Sequence, residues 1–220
     1  KNRYPGYENN ISSTRIGSWV VEMLPQIDRL DLHVDYVDDS KTLGAQHRPY
    51  MEMLICPSDP PEQIGGPILS YVANSGKADQ GYGPSGANSQ ETAVKNGIFH
   101  NQTVRTNVDH LKDGTSYTLM FTENIQARKT SGATGSHGWA TLGTGGNVRE
   151  MTTFVWHNSA PADGKINQNK TANGVSINLA RPSSFHSGGV NVSFADTRVI
   201  FLKEEIAYEV YRQLMTPHHR

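Results

Sequence analysis

Apolar and polar positions alternate regularly in only a few segments of the chain, separated by long polar stretches. In residues 17–32, GSWVVEMLPQIDRLDL, the side chains Val20, Leu24, Ile27 and Leu30 recur at the spacing of one helix face. Ser18 stands at an N-cap position with Glu22 in the first turn. Pro25 interrupts the pattern, so the helix kinks there or begins there. Residues 51–60, MEMLICPSDP, are a short apolar run stopped by Pro57 and turn residues. In LSYVAN, 69–74, Leu69, Tyr71 and Ala73 alternate with Ser70, Val72 and Asn74, which predicts a strand. Asp113-Gly114 predicts a turn into a strand over 116–125, with Tyr117, Leu119 and Phe121 on one face. TTFVWH, 152–157, reads as another strand. VNVSF (190–194) and VIFL (199–202) flank the turn Ala195-Asp196-Thr197-Arg198 as a β-hairpin. Finally, EEIAYEVYRQLM sets Ile206, Val210 and Leu214 on one face of a short amphipathic helix whose acidic start is Glu204 and Glu205.

Between these segments, 75–97 and 128–150 read as long loops rich in Gly, Ser, Thr and Asn, of a length that is usually functional. The expected fold class is α+β over a single domain, 1–220: an early helix, a mostly antiparallel sheet, long Gly-rich loops and a short C-terminal helix. Strands joined by hairpins and loops rather than helices argue against a doubly wound parallel sheet.

Composition sharpens this picture. With glycine counted, the apolar share is about 45%, the low edge for globular chains. Charged residues are only 19%, so the polarity comes from Ser, Thr, Asn, Gln and Gly, as in loop-rich extracytoplasmic proteins. The formal charge of -1 gives no basic field for nucleic acid. A single cysteine, Cys56, excludes an intramolecular disulfide and a Cys-rich zinc site. No run of 18 apolar residues spans a bilayer. The chain starts at Lys1 without Met, which reads as a mature or truncated product.

Candidate chemistry is dispersed. Asp196 either caps its own turn or offers a carboxylate to calcium, with Asp113 as a second candidate ligand. Asp113-Gly114-Thr115-Ser116 also reads as a plain turn whose hydroxyl satisfies the backbone. Glu123 ends the predicted strand and, if inward, needs a partner, because a lone buried carboxylate is costly. His137, His157 and His186 lie at loop or strand edges where they could converge on a metal. Cys56 reads as a buried core thiol rather than a nucleophile. Trp139 and Trp156 are candidate stacking platforms for sugar rings, or core residues.

Six stretches in order carry a family resemblance: SWVVEMLPQID, ICPSDP, SYVANSG, NGIF, LKDGTSYTLMFTEN, and FHSGGVNVSFADTRVIFL with EEIAYEVYRQLMT. Over roughly 17–216 the chain resembles the pilin-like, prepilin-type domain-containing proteins abundant in planctomycete bacteria, a domain of unknown function. Their C-terminal signature is a His, nine residues, then Asp-Gly. Here His186 and Asp196 match, while Thr197 stands in place of the Gly. The resemblance implies a prepilin leader and an apolar anchoring helix upstream of this chain, as in type IV pilins and type II secretion pseudopilins. It also implies an extracytoplasmic head that meets other pilin-like subunits through that helix and touches a membrane only there. Calcium in the C-terminal region of related pseudopilins adds Ca²⁺ at Asp196 to the expectation.

Three function classes follow. The first is a non-enzymatic structural or assembly head. The second is a secreted module that binds polysaccharide through Trp139, Trp156 and His186. The third is a His/Asp metal-dependent hydrolase. At position 197, a family turn requiring φ > 0 would make Thr a mildly strained substitute for Gly.

Overall fold

The computed structural model describes residues 3–61, 65–78, 90–125, 138–142, 146–158, 164–171 and 176–218. Its first helical segment breaks where Pro25 predicts. Helix α1 spans Trp19–Met23, and a single 3₁₀ stretch, Leu24–Ile27, carries Pro25 in its first turn. Proline lacks the N–H that an α-helix would use there. Asp28 then adopts a left-handed conformation (φ 60°) and redirects the chain into α2, Leu30–Val37. The single face expected across 17–32 is therefore divided: Val20 and Leu24 are buried, whereas Leu30 is exposed.

A short ladder pairs β1 (Asn9–Asn10) with β2 (Ile16–Gly17). The main sheet contains β3 (Tyr71–Lys77), β4 (Leu119–Glu123), β5 (Thr153–Trp156), β6 (Gly189–Phe194) and β7 (Val199–Lys203), in the order β5-β3-β4-β6-β7. Only β3–β5 is a parallel pair; the others are antiparallel, as expected. Helices α3 (Gln90–Val94) and α4 (Gly146–Thr152) occupy parts of the two expected long loops, and α5 (Tyr208–Met215) closes the chain. The remainders of both loops, 79–89, 128–137 and 143–145, lie outside the described residues. No described helix is long and apolar enough to cross a membrane.

Both sheet faces are partly covered. Trp19, Val20, Leu24, Tyr36, Phe99 and Trp139 form a core over Ala73 and Phe121, with the Trp19 ring 5.0 Å from that of Phe121. On the opposite face, Val72, Phe154, Val190, Val192, Phe194 and Leu202 pack against Tyr211 and Met215 of α5. This explains why the alternation of β3 is incomplete in solvent terms: Val72, Ala73 and Asn74 are all buried, because a central strand is covered on both sides.

Two expectations change. Tyr117 is exposed in a 3₁₀ turn, Thr115–Tyr117, and the strand begins only at Leu119. An irregular register between Leu119 and Phe121 sends them to different cores, which simple alternation does not anticipate. In α5 the buried side chains are Tyr211 and Met215, while Val210 is exposed; Glu204 and Glu205 lie before the helix.

Candidate functional site

One row of residues crosses the sheet on the same face as Ala73 and Phe121, two positions along the strands from the core that α1 and α2 build there. Tyr71 pairs with Glu123, and Asn191 pairs with Phe201. Beside that row come two loop residues, Cys56 from the Cys-Pro-Ser-Asp turn and His186 from the segment before β6. The turn is closed by the Asp59 amide donating to the Cys56 carbonyl (2.8 Å). His186 returns over the sheet because Gly188 is left-handed (φ 81°). Gly189 then passes so close to the Leu202 carbonyl that a Cβ would lie 2.2 Å from it. The two glycines thus serve differently, Gly188 by its left-handed backbone and Gly189 by the space it leaves for the Leu202 carbonyl.

Glu123 is almost fully buried and is the hub. The Cys56 thiol donates to its Oε1 (3.1 Å), and the Asn191 backbone N–H donates to its Oε2 (2.8 Å). His186 Nε2 lies 3.0 Å from the same Oε1 and 3.7 Å from Cys56 Sγ. The Asn191 amide nitrogen is 3.4 Å from Oε1 and 3.2 Å from His186 Nε2. These contacts supply the partner that an inward Glu123 demands. The His186 side chain keeps 27% of its surface exposed, so the cluster opens to solvent on that side. Burial, and then the bond to Glu123, push the Cys56 thiol up to about 11. Burial, with the Cys56 and Glu123 charges adding to it, also raises Tyr71.

A Cys–His–acid relay requires the imidazole to use its two nitrogens separately, one toward the thiol and one toward the acid. Here the same Nε2 faces both groups, and the thiol is shifted away from the thiolate form. The arrangement is convergent rather than sequential.

The remaining candidates are placed elsewhere. His186 and Asp196 flank the six residues of β6, a span of roughly 20 Å, so the signature pair marks two ends of one strand and not one site. Asp196 accepts from the Arg198 N–H (3.0 Å); a Ser116 hydroxyl bond, first, and that N–H hold its carboxyl below the ordinary range. Thr197 has φ 72°, the left-handed geometry that the family glycine would suit. Asp113 sits in its turn, its N–H bonded to the Pro217 carbonyl (3.0 Å), and the Thr118 hydroxyl bonds the Gly114 carbonyl (3.1 Å). Trp139 is fully buried with its indole N–H on the Pro49 carbonyl, so it has no open face for a sugar. Trp156 is 7% exposed, with Arg212 and Lys77 over its ring and its N–H on the Asn96 carbonyl. His137 lies outside the described residues. Among those described, Cys56, Glu123 and His186 are the group of three metal-capable side chains whose ligand atoms lie within 4.8 Å of one another. His157 is not among them.

A family described as "Protein of unknown function (DUF1559)" matches residues 1–209. The chain belongs to this family. No curated protein matches it, and no solved structure does. The family match covers Cys56, Glu123, His186 and Asn191, and so places the whole cluster inside the shared domain. Sequence reasoning missed that these four meet. The available signals were a carboxylate ending an apolar strand and a cysteine ending an apolar run.

Proposed function

We propose that this DUF1559 domain is the non-enzymatic, extracytoplasmic head of a pilin-like subunit, and that it contacts neighbouring subunits through the open edge of its sheet. The observation that carries this reading is β7. It is the last strand of the sheet, and its outward side chains Val199 and Phe201 are 65% and 47% exposed. Phe185 is exposed as well. Uncapped edge strands with apolar side chains are templates for pairing with another chain, and proteins normally blunt them.

Two measurements test this reading. The reading frame upstream of Lys1 is expected to encode a prepilin-type leader followed by about 20 apolar residues. A plain secretory signal there would remove the pilin component. In sedimentation velocity, the domain is expected to self-associate as concentration rises, and Phe201→Asp to weaken that association. A monomer at every concentration, unchanged by the substitution, would count against the β7 contact.

A specific observation favours binding of an anionic polymer as the second reading. A cleft of about 480 Å³ beside Trp156 is lined by Lys77, Lys95, Arg212, His218 and Thr216. Lys95 and Arg212 are partly neutralised by Glu91 and Glu209. Retention of the domain on an acidic polysaccharide, reduced by Arg212→Glu, is the result this reading expects.

A further inference from the structure

We propose that Cys56 Sγ, Glu123 Oε1 and His186 Nε2 form a binding site for one divalent metal ion of the zinc class, with a fourth position open toward solvent. Three features of the cluster lead there.

The first is geometry. Donor atoms around a tetrahedral zinc, with bonds near 2.0 Å to N and O and 2.3 Å to S, lie roughly 3.3–3.6 Å apart. The three separations here are 3.1, 3.7 and 3.0 Å, so small side-chain shifts, apart at the two shorter separations and together at the longest, seat the ion. The ligands come from three separate segments: a turn, the end of β4 and the loop before β6. The sheet and the Gly188-Gly189 turn hold them in place.

The second is convergence. Glu123 Oε1 faces both Cys56 Sγ and His186 Nε2, and His186 Nε2 in turn faces Cys56 Sγ, so three lone-pair-bearing atoms from three side chains meet at one place. With an ion there each donates a lone pair to the metal, and the Asn191 amide, 3.4 Å from Oε1, steadies the carboxylate.

The third is charge. A thiolate and a carboxylate beside a neutral imidazole balance a 2+ ion, which makes the buried site neutral overall. The donor set of one sulfur, one nitrogen and one oxygen is borderline-soft, which favours zinc over calcium. The Asn191 backbone N–H on Oε2 fixes the carboxylate from behind, as outer partners of metal ligands do. Exposure of His186 supplies the entry path and the open position. The site borders the β7 contact, since the Phe201 ring stands edge-on to that of His186 with centroids 6.4 Å apart, but none of its three ligands comes from β7 and metal binding is expected whether or not the domain assembles.

The decisive experiment uses the domain purified without histidine-affinity chromatography and stripped with a chelator. Cobalt(II) is expected to bind at one ion per chain with a thiolate-to-metal charge-transfer band, displaced by zinc. Zinc should raise Tm in the wild type but not in Cys56→Ser or His186→Gln, and calcium should not raise it. Cys56→Ser should lower zinc affinity by more than about 100-fold, beyond what loss of an outer hydrogen-bond partner removes. Absence of a thiolate band in the wild type would overturn the proposal, even if both variants failed to fold. So would an equal zinc effect on wild type and variants.

Discussion

Asn74 and Glu123 lie on neighbouring strands of one sheet, both shielded from solvent, and their partners differ in kind. The Asn74 amide nitrogen donates to the carbonyls of Leu119 (2.7 Å) and Met215 (2.8 Å), and its oxygen accepts from the Gly76 N–H (3.0 Å). Every one of those partners is backbone. The amide therefore locks β3 to β4 and to the end of α5, and its hydrogens are used up. Glu123 instead faces a thiol, an imidazole and a side-chain amide, with one backbone N–H behind it. Buried polarity spent on the backbone is scaffold. Buried polarity in which titratable side chains face one another around a common point retains capacity for a ligand.

The comparison is sharpened most by Asn74→Ala. It leaves two carbonyls and an N–H without partners inside the core, and each orphaned group costs about 1–3 kcal/mol. A loss of about 4 kcal/mol in urea unfolding is expected, the same with and without zinc. If zinc altered that loss, Asn74 would belong to the site and the distinction would fall. Glu123→Ala comes next, with a loss of about 2 kcal/mol in the chelated protein, since it strips one backbone N–H and the side chains of Cys56, His186 and Asn191 of their shared partner. Zinc should no longer restore stability to it, which differential scanning calorimetry reads directly.

A third buried polar group, His100, tests the scaffold side through pH. Burial lowers its imidazole from an ordinary 6.5 to about 3, against a weaker opposing effect of its bond to the Gly97 carbonyl (3.0 Å). Between those values the unfolded chain binds a proton that the folded chain refuses. Stability is therefore full above pH 6.5 and falls as the pH drops through the window, by roughly 1 kcal/mol at about pH 5.5. A pH series of thermal unfolding should show this limb flattened in His100→Asn. The smallest effect is expected at Thr197→Gly, outside both centres. Relief of the left-handed threonine, offset by the freer unfolded glycine, should add about 0.5 kcal/mol. A loss instead would show that Thr197 makes a contact that glycine cannot.

Much of the architecture was legible in residue order. The β6–β7 hairpin, strands within 69–74 and 152–157 and the break at Pro25 follow from period-two alternation, turn residues and a missing N–H, all of which are local, whereas β3 runs on to Lys77, into the expected loop. Less legible were features set by distant neighbours. Leu119 and Phe121 enter different cores because the register shifts between β4 and β6. The face of α5 centres on Tyr211 and Met215 meeting β4 and β5, with Ile206 and Leu214 packed at its margin as their spacing suggests and Val210 exposed. Trp139 had the composition of a stacking platform and became the centre of a core.

The candidate site divides the same way. Sequence alone determined its ingredients: a lone cysteine that no disulfide can claim, a carboxylate at a strand end that must find a partner if buried, and a histidine at a loop or strand edge. The His-x9-Asp spacing was legible too, but a nine-residue interval across a strand separates its ends rather than joining them. Only the tertiary structure decided that Cys56, Glu123, His186 and Asn191 share one point. The physical reason is that convergence depends on strand order and register, which are fixed by hydrogen bonds between segments as distant in sequence as β3 and β5, and no local periodicity carries that information.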